Sequence, residues 1–184
     1  MKKLVLLGDS IRLIGYGTKL PALAENEYEV WQPTENCRWS GYTFRMLHDH
    51  KDAIADADVI HWNNGIWDVC NYFGDGAFTP IDVYVQYLKR IAKRLLSITD
   101  KVIFATTTPV TFPNTNCDPA LIEQYNAAAV ETLSEMGVII NDLHSFVKAN
   151  MDSFIKEDGV HLNELGCEEC AKQVLQKIRS VDIG

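Results

Sequence analysis

Five short apolar runs punctuate the chain: 3–7, 29–32, 57–62, 101–105 and 138–142. Each is strand-length and is followed by polar or proline-containing sequence, which predicts buried strands. Between them the apolar positions recur at helical spacing. Ile81, Tyr84, Val85, Leu88, Ile91, Ala92, Leu95 and Leu96 predict one strong amphipathic helix. Asp118 and Pro119 cap and open another, which carries Leu121, Ile122, Tyr125, Ala128, Ala129 and Met136 on or near its inner face and stops at Gly137. A last helix starts near Asn163 and carries Leu165, Val174, Leu175 and Ile178. Ser40-Gly41 opens a short helix through Leu47, and part of 12–26 is helical. Segments 34–39, 63–68 and 70–80 show no period and read as loops.

Strands that alternate with helices require crossover connections, and these make a parallel sheet covered on both faces. Right-handed crossovers leave few strand orders. The expected architecture is a three-layer α/β/α sandwich with a five-stranded parallel sheet in the flavodoxin-like order 2-1-3-4-5. At 184 residues, with no internal repeat or linker, one domain spanning 1–184 is expected.

Charge and cysteine content narrow the partners. A formal charge of −8 argues against non-specific nucleic-acid binding and against an anionic membrane surface. No run approaches the ~20 apolar residues of a membrane span. Leu4–Leu7 is also far shorter than the ~7–15 residues of a secretory core, so a cytoplasmic location is expected. Cys37, Cys70, Cys117, Cys167 and Cys170 are odd in number, which without a leader favours reduced thiols. Cys167-x-x-Cys170 lies in a helical pattern and supplies only half of a zinc ligand set, so it reads as core packing.

The chemistry rests on both ends of the chain. Ser10 follows the first predicted strand, at the edge where open α/β sheets bind ligands. A serine there is ordinarily a cap or turn residue. Asp158-Gly159-Val160-His161 changes that reading. On a tight turn the Asp158 carboxylate can accept the Nδ1 proton of His161, leaving Nε2 to act as a base. A serine hydroxyl becomes an effective nucleophile when such a base takes its proton. A parallel sheet delivers all the loops after its strands to one edge, so Ser10, His161 and Asp158 form a candidate triad.

Gly8-Asp9-Ser10 and Asp158-x-x-His161 resemble the first and last sequence blocks of the SGNH, or GDSL, hydrolases. Asn36-x-x-x-Ser40-Gly41-Tyr42-Thr43 is similar to the second block, and the resemblance implies that the Gly41 N–H helps to hold an oxyanion. The third block normally reads Gly-x-Asn-Asp, and its asparagine supplies a side-chain donor. Here Gly65-Ile66-Trp67-Asp68 places a tryptophan at the asparagine position. Such a donor lowers the barrier by roughly 3–4 kcal/mol. Asn64 is the expected replacement, with Asn63 and Trp67 as the other candidates.

The resemblance implies a serine esterase that works through an acyl-enzyme; short-chain acyl esters, for example acetyl esters, are expected because the chain is compact and shows no long apolar lid. The oxyanion would be held by Ser10, Gly41 and Asn64. The expected substrate is a small-molecule or carbohydrate ester, with no cofactor, metal, nucleic acid or membrane as partner. The alternative, prompted by Trp67, is a non-catalytic ligand-binding domain on the same fold. No GxSxG elbow occurs, which argues against an ordinary α/β-hydrolase, and no GxGxxG or P-loop occurs to support a nucleotide binder.

The other polar residues read as structural. His48 and His50 belong to a solvated helix end, His61 is an interior hydrogen-bonded residue, and His144 is structural. Arg12 is expected in a surface salt bridge, with an anionic substrate group as the alternative. Asp9 stabilises a turn, and Asp68 is similar. Trp39, Trp62, Trp67, Tyr72 and Phe73 suit either sugar stacking or packing near the mouth.

Overall fold

A computed structural model describes residues 1–182. Its five strands are β1 (Lys2–Leu7), β2 (Tyr28–Trp31), β3 (Val59–Asn63), β4 (Val102–Ala105) and β5 (Ile139–Asn141). They form one all-parallel sheet in the order β2-β1-β3-β4-β5, as the alternation of strands and helices predicts. The helices are α1 (Ser10–Leu13), α2 (Leu20–Ala24), α3 (Ser40–Asp49), α4 (Lys51–Ile54), α5 (Ile66–Val69), α6 (Ile81–Leu95), α7 (Pro119–Glu135), α8 (Leu143–Lys148), α9 (Met151–Phe154) and α10 (Glu164–Val181). Segment 63–68, read as a loop, gives Asn63 to β3 and its last three residues to α5. Neither α8 nor α9 was anticipated. Helices of four to six residues are too short to establish a period.

Side-chain alternation along β1 explains why its whole run is apolar. Val5 and Leu7 face one core with Ile60, Trp62, Val102 and Phe104, under α3, α6 and α7. Leu4 and Leu6 face the other with Val59, Ile103 and Ala105, under α2, α8 and α10. A strand buried on both faces has no solvent side to make polar. On α6 the predicted stripe is buried at Tyr84, Leu88, Ile91, Ala92 and Leu95. Burying each larger aliphatic side chain contributes about 2 kcal/mol.

Two of the five cysteines depart from the expected reduced state. Cys70, which ends α5, is disulfide-bonded to Cys117, which precedes α7. Their separation of 47 positions hides this contact, because only the packing of α5 against α7 brings them together. Cys37, Cys167 and Cys170 are free and buried. Among the described residues, no helix is long and apolar enough to cross a membrane.

Candidate active site

The loop after β1 is built around a glycine that has no room for a side chain. A Cβ on Gly8 would lie 2.0 Å from Asn63 Oδ1 and 2.9 Å from the Arg12 Cβ. Asp9 then caps α1 by accepting the Ile11 N–H at 2.9 Å, and Ser10 opens the helix. The Ser10 N–H donates to no atom among the described residues.

Arg12 is neither a surface ion pair nor an anion contact. Its side chain is fully buried and donates to the carbonyls of Pro33 and Glu35, both at 2.8 Å, and to that of Gly8 at 3.1 Å. It clamps the segment before α3 onto the Ser10 loop. Charge patterning could not reveal this, because its partners are backbone oxygens rather than acidic side chains.

At the other end of the chain, Gly159 adopts φ +74°, and a Cβ there would lie 2.1 Å from the Thr111 carbonyl oxygen. The resulting turn brings Asp158 under His161. Asp158 Oδ1 accepts the N–H groups of Val160 and His161, each at 2.9 Å. Oδ2 lies 2.7 Å from His161 Nδ1, and His161 Nε2 lies 3.0 Å from Ser10 Oγ. Partial burial works to raise the Asp158 pKa. The two N–H groups and the imidazole outweigh it and hold the carboxyl at about 2. An ionised carboxylate only accepts hydrogen bonds, so the shared proton sits on Nδ1. In the neutral ring this leaves the Nε2 lone pair facing the serine hydroxyl.

These groups open into a cleft of about 310 Å³, lined by Ser10, Asn36, Ile66, Trp67, Cys70, Tyr72, Asn114, Asn116, Cys117, Val160 and His161. A larger groove of about 680 Å³, lined by α3, α4 and the end of α6, lies away from them. Its size does not make it the site, because the serine and imidazole that can carry out acyl transfer meet only in the smaller cleft.

The remaining expected donors divide. Gly41 is the second residue of α3, and its N–H donates to no atom among the described residues, but Gly41 does not line the cleft. Asn64 is corrected. It is fully buried, and its Nδ2 donates to the Arg38 carbonyl at 3.0 Å and to Thr43 Oγ1 at 2.9 Å, so neither amide hydrogen is free for a substrate. Its Oδ1 accepts the Trp62 indole N–H. Asn63 is committed as well. Its Oδ1 accepts Tyr16 O–H at 3.0 Å, its side chain works to lower the Asp9 pKa, and it does not line the cleft. Trp67 does line the cleft, with its ring against Tyr72. His61 is buried between Tyr16 and Asn141, and desolvation lowers its pKa to about 3. His144 contacts the Thr107 carbonyl through Nδ1 and lies outside this cleft.

Asp68 holds the start of α3 by accepting the Ser40 N–H and hydroxyl. Burial pushes its pKa up to about 7, and burial likewise raises Asp9 to about 6. The folded chain therefore holds more protons on these groups than the unfolded chain. Their contribution to stability is complete below the unfolded value near 4 and is lost as pH rises through about 6 and 7. Each shift corresponds to on the order of 3 kcal/mol. Asp158 and Asp182, both held at about 2, contribute stability that is lost only in stronger acid. Between roughly pH 5 and pH 8 the urea midpoint is expected to fall with rising pH, and Asp68→Asn is expected to flatten the slope. A midpoint that rises over that range would contradict these environments.

The structure has the SGNH-type hydrolase fold. Its similarity to solved structures extends over almost the whole chain. A lipase/acylhydrolase from Enterococcus faecalis matches with a TM-score of 0.83 at 18% identity, covering 98% of this chain and 96% of the other. The acetyl xylan esterase AlAXEase matches with a TM-score of 0.78 at 17% identity, covering 95% and 98%. An acetylxylan esterase from Geobacillus stearothermophilus matches with a TM-score of 0.75 at 16% identity, covering 96% and 94%. No protein-family model and no curated protein sequence matches the chain.

Proposed function

We propose that the chain is a serine esterase that cleaves short-chain acyl esters, with Ser10 as nucleophile, His161 as base and then acid, and Asp158 as the residue that orients the imidazole. The observation that carries this reading is the continuous run from Asp158 through His161 to Ser10, with contacts of 2.7 and 3.0 Å, opening into a cleft. Ser10 Oγ attacks the ester carbonyl as Nε2 takes its proton. The carbonyl oxygen gains a negative charge, which the free N–H of Ser10, at the cleft, stabilises. The imidazolium, stabilised by Asp158, then protonates the departing alcohol. Water attacks the acyl-enzyme by the same route and regenerates the serine.

The acyl group is proposed to be short. Ile66, Trp67, Cys70 and Cys117 wall a cleft of only about 310 Å³, near the lower end of ligand-site volumes. Two of the neighbours that share the fold are acetyl xylan esterases, which supports an acetyl ester on a carbohydrate as the substrate class. The test is turnover of p-nitrophenyl acetate and p-nitrophenyl octanoate. Acetate is expected to be the faster substrate. Faster octanoate turnover would remove the short-acyl reading, and hydrolysis of both no faster than in buffer would remove the esterase reading.

A further inference from the structure

The loss of Asn64 as a donor leaves a gap in the proposed reaction, and the structure offers a residue to fill it. We infer that Asn36 supplies the side-chain amide N–H to the oxyanion formed at Ser10, in the place of the third-block asparagine; this rests on the esterase reading above.

Both neighbours of Asn36 are tied to the Ser10 loop. The Glu35 carbonyl accepts from Arg12 at 2.8 Å. The Cys37 N–H donates to the Gly8 carbonyl at 3.1 Å, and the Gly8 N–H approaches Cys37 Sγ at 3.2 Å. Asn36 is thereby held beside Gly8-Asp9-Ser10 and shares the cleft wall with Ser10. Chemistry fixes the orientation of its amide. Oδ1 accepts the Arg38 N–H at 2.7 Å, and a backbone N–H can be met only by the oxygen end. The NH₂ end is left over, and it donates to no atom among the described residues.

The other polar groups of the cleft fit this role less well. Asn114 and Asn116 belong to the loop whose Thr111 N–H donates to the Gly159 carbonyl, between Asp158 and His161. That is the flank of the base. The leaving oxygen must face the imidazole that protonates it, so the oxyanion points to the other flank, where segment 36–41 starts. Trp67 belongs to α5, which supplies the apolar wall with Ile66 and Cys70.

The experiment measures kcat and KM on p-nitrophenyl acetate, with melting temperature, for wild type, Ser10→Ala, Asn36→Asp, Asn36→Ser and Trp67→Phe. Asn36→Asp keeps the oxygen that accepts the Arg38 N–H and removes the donor. Asn36→Ser keeps a turn-forming oxygen without adding charge, and its hydroxyl is too short to reach the oxyanion. Both are expected to lose roughly 10²- to 10³-fold in kcat, with KM within about 3-fold and the melting temperature unchanged. Trp67→Phe reshapes the cleft wall, so its effect is expected in KM, while the large loss of kcat is expected only in the Asn36 variants. The inference is overturned if both Asn36 variants keep wild-type kcat. It is overturned equally if only the Asp variant loses rate, which marks a charge effect, if either loss comes with a fallen melting temperature, or if Trp67→Phe carries the loss. Wild-type turnover that vanishes in Ser10→Ala while the Asn36 variants remain active would defeat this inference alone. Turnover independent of Ser10 would defeat the esterase reading and this inference with it.

Discussion

Ser10→Ala and His161→Ala are each expected to lower kcat on p-nitrophenyl acetate by roughly 10⁴- to 10⁶-fold, and the double variant is expected to be no slower than either single one. The reason is the 3.0 Å contact between Ser10 Oγ and His161 Nε2. A hydroxyl with no base beside it is a weak nucleophile, and a base with no hydroxyl beside it activates nothing. The two side chains act as one unit, so removing either removes the function of both. Residual rate in each variant would come from the uncommitted N–H groups that stabilise the developing charge. Side-chain exposures of 30% for His161 and 47% for Asp158 leave little core packing to lose, so the melting temperature of His161→Ala is expected to stay near wild type. Losses that multiplied in the double variant would show that the two groups act separately. That result would remove the nucleophile–base assignment.

The second large effect concerns stability. Arg12→Met is expected to destabilise the fold by about 2–4 kcal/mol, measured as a fall in the urea midpoint, although Arg12 has no acidic ion-pair partner among the described residues. Methionine fills much of the same volume, so the loss comes from the hydrogen bonds. The carbonyls of Pro33 and Glu35 would lose their donor, while that of Gly8 keeps the Cys37 N–H, and each unsatisfied buried group costs about 1–3 kcal/mol. The part that loosens first should be the junction between the Ser10 loop and segment 33–37, so activity is expected to fall even where the chain remains folded. A variant with wild-type midpoint and activity would show that water satisfies these carbonyls and that the clamp is dispensable.

Arg12 also marks where the sequence stopped being informative. Strand order, the α6 stripe, the Asp118-Pro119 helix start and the pairing of Asp158 with His161 were all legible, because each depends on periodicity, capping or close spacing. The meeting of Ser10 with His161 was legible for a topological reason, since every strand of a parallel sheet delivers its following loop to one edge. Arg12 and Asn64 were misjudged for a common reason. Both look like groups available to a ligand, and both are consumed by backbone oxygens or neighbouring side chains brought close only by the fold. Asn36 was visible only as part of a motif. Its free amide end could not be identified until the partner of its oxygen was known. The disulfide between Cys70 and Cys117 was hidden in the same way, because an odd cysteine count says nothing about which two loops line a cleft together.

The central claim is that the Ser10 hydroxyl takes the acyl group from an ester. The most direct measurement is the intact mass of the protein after brief acid quench during turnover of p-nitrophenyl acetate, followed by peptide mapping. The account predicts one added acetyl group on the peptide that contains Ser10, absent from the Ser10→Ala variant and removed as turnover completes. Acetyl found only on lysines or on another serine, with the Ser10 peptide unmodified while ester is being cleaved, would contradict it.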